Sequence, residues 1–182
     1  MRMSDSIKRN TGKTIFLDRD GVINECPPPH KYVTSWKEFK ILPGVIEAIH
    51  LLNTAGYTVL VLSNQRGVAL GEMSYEDVVQ IHRKLNEVLR QHDSFIDDYF
   101  FCPHDYGKCH CRKPDIGLFQ QAEKKYFVDK KHAWMIGDSD SDFIAAKRYG
   151  IPFLWIGEND SSIKKYSSLL DAVKYIITSE ST

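Results

Sequence analysis

The run Thr14-Ile15-Phe16-Leu17 passes without a spacer into Asp18-Arg19-Asp20-Gly21. Apolar and β-branched residues make a buried strand, and a glycine right after two carboxylates spaced one residue apart makes a tight turn at its end. Taken alone, an Asp after a strand is a turn former or a helix cap. The same pattern recurs. Tyr57-Thr58-Val59-Leu60-Val61-Leu62 is apolar enough to be buried on both faces and ends in Ser63-Asn64-Gln65, and Ala133-Trp134-Met135-Ile136 ends in Gly137-Asp138-Ser139-Asp140-Ser141-Asp142. Further strands are expected over 99–101 and 152–156.

Helical patterns separate these strands. Pro43-Gly44 opens one through Val45, Ile46, Ile49 and Leu52, and Ser74 with Asp77 makes a capping box for a long amphipathic helix through Val78, Ile81, Leu85 and Val88. Shorter helices are expected over 116–126 and 143–149. Ser168 and Asp171 cap a last one through Val173 and Ile176. Strands that alternate with helices give, through right-handed crossovers, a parallel sheet covered on both faces. Its carboxyl edge is where such sheets place their chemistry.

With 182 residues, 42% hydrophobic and 26% charged, the chain is expected to be a single domain with a core that needs no disulfides. Residues 1–12 read as a loose arm, and 22–36, with Pro27-Pro28-Pro29 and His30-Lys31-Tyr32, as an ordered excursion over the site. Twenty-four basic residues balance 24 acidic ones, which argues against nucleic acid or an anionic membrane as partner. No apolar run is long enough to span a bilayer, so a cytoplasmic monomer is the expectation.

On one sheet edge, Asp18, Asp20, Ser63, Asn64, Asp138 and Asp142 converge. Clustered carboxylates repel unless a cation joins them, and hard oxygen ligands suit Mg²⁺. Arg112-Lys113-Pro114 adds the positive charge that a phosphate substrate requires. Phosphoryl transfer through an aspartyl-phosphate uses each part. Asp18 attacks phosphorus, Lys113 and Ser63 hold the equatorial oxygens, and Asp20 protonates the leaving alcohol and then activates water. Asn64, Arg66 and Arg112 are the candidate substrate contacts beside Lys113.

Cys102-Pro103-His104 and Cys109-His110-Cys111 supply three thiolates and two imidazoles within ten residues, enough for a closed tetrahedral zinc site of structural type. The chosen ligands are Cys102, His104, Cys109 and Cys111, with His110 the alternative to His104 that spacing leaves open. Zinc in this loop, 102–111, fixes Arg112 and Lys113 against the site. Cys26 stands apart in a loop.

Asp18-x-Asp20-Gly21, Ser63, Lys113 and Gly137-Asp138-x3-Asp142 resemble, in order and spacing, the four motifs of the haloacid dehalogenase superfamily of phosphatases, over about 14–156. The resemblance implies a Rossmann-like three-layer α/β sandwich without a large cap domain. It implies Asp18 as nucleophile, Asp20 as acid and base, and Mg²⁺ held by Asp18, the backbone carbonyl of Asp20, and Asp138, with Asp142 one step further out or acting through water. The Cys-Pro-His and Cys-x-Cys-Arg-Lys-Pro segments, with Phe16 to Asn24 and Asn64-Gln65-x-Gly67-Val68-Ala69, are similar to the heptose bisphosphate phosphatases and the related histidinol-phosphate phosphatases. That implies a small phosphorylated sugar as substrate, its C7 phosphate removed on the way to nucleotide-heptoses. Two departures stand out: four residues between His104 and Cys109, nearer the histidinol-phosphate type, and Leu70 where the heptose enzymes commonly carry an arginine. A non-catalytic zinc-stabilised interaction domain would be natural if Asp18, Asp20, Lys113 or Asp138 were replaced, and none is.

Overall fold

The computed structural model describes residues 12–158 and 164–179; the expected arm falls almost wholly outside them. Six parallel strands, β1 (Thr14–Leu17), β2 (Thr58–Asn64), β3 (Asp98–Cys102), β4 (Ala133–Gly137), β5 (Phe153–Ile156) and β6 (Lys165–Tyr166), lie in the order β3-β2-β1-β4-β5-β6. The two strands carrying the first acids and the last acids are therefore neighbours. Phe16 pairs with Leu60 on one side and Met135 on the other, so Asp18, Ser63 and Asp138 emerge close together.

Alternation along the strands divides the core. Ile15, Leu17, Val59 and Val61 point into a layer shared with α1 (Val45–Thr54), α2 (Tyr75–Arg90) and α5 (Leu169–Ser179). Phe16, Leu60, Leu62 and Met135 point the other way, against α3 (Gly117–Glu123) and α4 (Asp140–Tyr149). On that second face the Phe16, Phe119 and Tyr149 rings pack with centroids 4.3–6.0 Å apart. Each fully buried side chain of this size contributes about 1.5–3 kcal/mol over its exposed state.

Ser74 and Asp77 form the expected capping box of α2. Three boundaries differ from the sequence reading. Helix α4 begins at Asp140 rather than 143, because Ser139 and Asp142 form a second capping box that starts the helix in the middle of the acidic run. Helix α3 is shorter than 116–126, with Ile116 as its N-cap. The two-residue β6 was not expected, being too short to show alternation. Residues 22–36 form neither helix nor strand beyond isolated bridges of Asn24 to Asp20 and Ile41, and they bury Val22, Ile23 and Val33.

Candidate active site

The carboxyl ends of β1 and β2 and the first turn of α4 meet at Lys113. Its side chain is 1% exposed, and its Nζ lies 2.7 Å from Asp18 Oδ1, 2.6 Å from Asp142 Oδ1 and 2.5 Å from the Leu62 carbonyl oxygen. Burial alone would drag the ammonium down, but Asp142 and Asp18 outweigh it and hold the pKa above the ordinary lysine value. Asn64 fixes the backbone beneath: its Nδ2 donates to the Lys113 carbonyl and its Oδ1 accepts from the Lys113 N–H, each at 3.0 Å.

Asp18, Asp138 and Asp142 each bring a carboxylate oxygen within 4.8 Å of the others. Burial pushes Asp18 up to about 8 against the pull of Lys113, with Asp142, Asp138 and Asp20 adding to the rise. Asp138 is pushed up to about 6, chiefly by burial and then by Asp142. Such crowding suits a small divalent cation, which converts the mutual repulsion into ligation. The backbone leaves room for it, because Gly21 (φ +88°) and Gly137 sit where any Cβ would run into the carboxylates of Asp138 and Asp142 respectively. Asp142 does more than the resemblance implies: one oxygen closes the α4 capping box with Ser139 and the other faces Lys113.

Asp20 points away from that trio. Its Oδ1 accepts from Arg19 Nε at 3.2 Å, Arg19 Nη2 at 2.9 Å and Asn24 Nδ2 at 2.9 Å, and its Oδ2 accepts from Arg19 Nη2 at 3.0 Å and Gln65 Nε2 at 2.9 Å. Gln65 Nε2 also donates to the buried Ser63 hydroxyl at 2.7 Å. Arg19, Asn24 and Gln65 carry no spacing signal. A charged residue inside the β1 motif that cannot reach water was the only hint.

The four residues expected to bind zinc are drawn together. Cys102 Sγ to Cys109 Sγ and Cys109 Sγ to Cys111 Sγ are each 3.4 Å, and His104 Nδ1 lies 3.6 Å from Cys102 and 3.4 Å from Cys111. These separations are too long for disulfides and close to the edges of a tetrahedron of zinc ligands. The chain brings in His104, while His110 is exposed and outside the group. Burial raises all three thiols, yet the Arg112 N–H and the neighbouring sulfurs bring Cys109 down to about 7, so one thiolate forms readily. Cys109 and Cys111 pack on the second core, so the four residues could hold zinc as part of the fold.

A surface groove of about 800 Å³ between Ile41, Pro43, His50 and His92 touches none of these residues. A smaller cavity of about 280 Å³ does, lined by Asn64, Tyr106, Cys109, Arg112, Lys113 and Ser141. The Arg66 and Arg112 guanidiniums lie 4.5 and 4.4 Å from the Tyr106 ring centre. Arg66 is further tied to Asp105 at 2.6 Å, whereas the buried Nε and Nη1 of Arg112 have no hydrogen-bond partner among the described residues. Tyr32 packs on Gly67, so the 22–36 excursion touches the β2 loop.

A family model described as HAD-hydrolase-like matches residues 110–179. A D-glycero-β-D-manno-heptose-1,7-bisphosphate 7-phosphatase from Rhodopseudomonas palustris is 41% identical over 79% of this chain and 83% of its own. A histidine biosynthesis bifunctional protein, HisB, from Legionella pneumophila is 35% identical over 80% of this chain but only 42% of its own. The crystal structure of a D,D-heptose 1,7-bisphosphate phosphatase from B. bronchiseptica, complexed with magnesium and phosphate, superposes with a TM-score of 0.83 at 30% identity, covering 92% of this chain and 99% of that one. The strand order, the Lys113-centred acids and these likenesses agree: the chain belongs to the haloacid dehalogenase-like hydrolases and is a phosphatase of that superfamily.

Proposed function

We propose that this phosphatase removes the C7 phosphate of D-glycero-D-manno-heptose 1,7-bisphosphate through a phospho-Asp18 intermediate. The observation that carries the reading is one continuous strip of charge, in which Lys113 grips the Asp18 carboxylate and shares a cavity with Arg112, whose inner nitrogens are unpartnered. One phosphate would sit against Asp18 and Lys113, and a second would meet Arg112. A bisphosphate has what both positions want. The names of the relatives support the same substrate.

In the first step an Asp18 oxygen bonds to phosphorus, the ester P–O bond breaks, and Asp20 gives its proton to the departing alkoxide. In the second, Asp20 takes a proton from water as the water oxygen bonds to phosphorus and the P–O bond to Asp18 breaks, releasing phosphate. Lys113 offsets the equatorial charge in both steps. Mg²⁺, held by Asp18, Asp138 and the Asp20 carbonyl, would lessen repulsion between the nucleophile and the phosphate. Asn64 and the zinc loop keep Lys113 and Arg112 in position.

Turnover of the heptose bisphosphate, histidinol phosphate and simple sugar phosphates tests the assignment. The heptose bisphosphate is expected to have the highest kcat/KM, and a preference for histidinol phosphate would overturn it. That second reading is favoured by the short His104 to Cys109 spacing and by the HisB relative. Asp18→Asn should abolish phosphate release on every substrate, a loss of at least about 10⁴-fold for a missing nucleophile.

A further inference from the structure

Arg19 is the largest fully buried side chain in the described residues, and it is charged. A guanidinium removed from water is tolerated where its hydrogen bonds are met by an anion. Arg19 meets one only, the Asp20 carboxylate beside it, through Nε and Nη2. Its ring neighbours hold it in place: Phe39, from the segment after the excursion, lies 5.8 Å from the guanidinium carbon, and His82 of α2 is close enough for the charge to act on its imidazole. The Arg19 carbonyl accepts from the N–H groups of Val22, Ile23 and Asn24, so its backbone is as fixed as its side chain. Asn24 and Gln65 complete the grip on Asp20 from two other directions.

We propose that Arg19 is a positioning residue: with Gln65 and Asn24 it forms a clamp that sets the place from which Asp20 exchanges its proton with the leaving alcohol and the attacking water. The inference rests on the acid and base role of Asp20 given above. The clamp makes no contact with Asp18, Lys113, Asp138 or Asp142, and its one link to the phosphate-holding groups is the Gln65 bond to Ser63. Loosening it should therefore harm proton transfer while sparing attack on phosphorus.

Leaving-group dependence reads this directly, because dinitrophenolate departs without a proton and an alkoxide does not. In Arg19→Gln, kcat on an alkyl phosphate should fall about 100-fold with KM little changed, as for loss of general acid catalysis, while the dinitrophenolate burst on 2,4-dinitrophenyl phosphate changes by less than about threefold. Steady-state turnover after the burst, which needs Asp20 as base, should fall with the alkyl phosphate. Arg19→Lys keeps the charge but loses the two-nitrogen grip and should lie between Arg19→Gln and the parent. Asn24→Leu, which removes one arm without leaving a buried charge and without reaching Ser63, should show the same selectivity about tenfold, and it serves where Arg19→Gln does not fold. Equal losses on both substrates, or no loss, in whichever of these variants folds would overturn the clamp. Asp20→Asn keeps the two failures apart: if it lacks the leaving-group signature, the role given to Asp20 fails rather than the clamp.

Discussion

A single ammonium, that of Lys113, faces the carboxylates of both Asp18 and Asp142, and a third, Asp138, lies within 4.8 Å of them. The raised values of Asp18, about 8, and Asp138, about 6, have consequences of definite sign. The folded, metal-free protein binds protons at these groups that the unfolded chain has released, so they lower stability as pH rises from about 4 to about 8. Protons also compete with the cation, so apparent Mg²⁺ affinity should climb between pH 6 and 8. Thermal melts with and without Mg²⁺ across that range check both, and the stabilisation by Mg²⁺ should be largest at the alkaline end. Asp138→Asn should raise the metal-free melting temperature and abolish the Mg²⁺ response. The acids were legible from the sequence because each ends an apolar run. The partners of Asp20 were not, because a buried arginine beside an aspartate looks like any charged turn until the core closes around it.

The Cys/His loop over 102–111 and the helix behind it act as one element. Gly117 at the start of α3 sits so close under His110 and Cys111 that a Cβ there would strike their backbone. Gly117→Ala should therefore push the loop outward, weaken zinc retention measured by metal analysis, and reduce activity. Cys109→Ala, or a chelator that removes zinc, should lower kcat while amide exchange quickens over 102–114 and Mg²⁺ binding stays. An active protein free of zinc would defeat the link between the loop and Lys113. The ligand spacing announced this loop, but its reach did not show: Asp105 and Tyr106, between the ligands, are what meet Arg66 and Arg112. The early start of α4 was hidden for a related reason. Asp142 caps a helix and pairs with Lys113 at once, and a pattern of acids does not reveal a side chain with two duties.

Across the whole molecule, the alternation of strand and helix patterns foretold the layers, while the order of the strands awaited the crossovers, which depend on contacts far apart in the chain. One buried group between α2 and the sheet edge responds to pH in the opposite sense to Asp18 and Asp138. His82 stacks on Tyr99 at 4.3 Å, and burial, with Arg19 nearby, lowers its pKa well below 6.5. The unfolded chain takes up that proton first, so stability is lost as pH falls below about 6.5, by up to about 1.4 kcal/mol per pH unit. His82→Phe should gain in melting temperature relative to the parent as pH falls from 7 to 5; a constant difference between the two would refute it. Arg66, finally, ties its own loop after β2 to Asp105 of the 102–111 loop, and Tyr32 from the excursion packs on Gly67 beside it. Three loops thus meet beside one paired cation, and under the proposed function a phosphate that reached Arg66 would have to replace Asp105. Admission would then be an exchange of anions: a dianion can displace the carboxylate, a neutral sugar cannot, and added salt should blunt the choice between them.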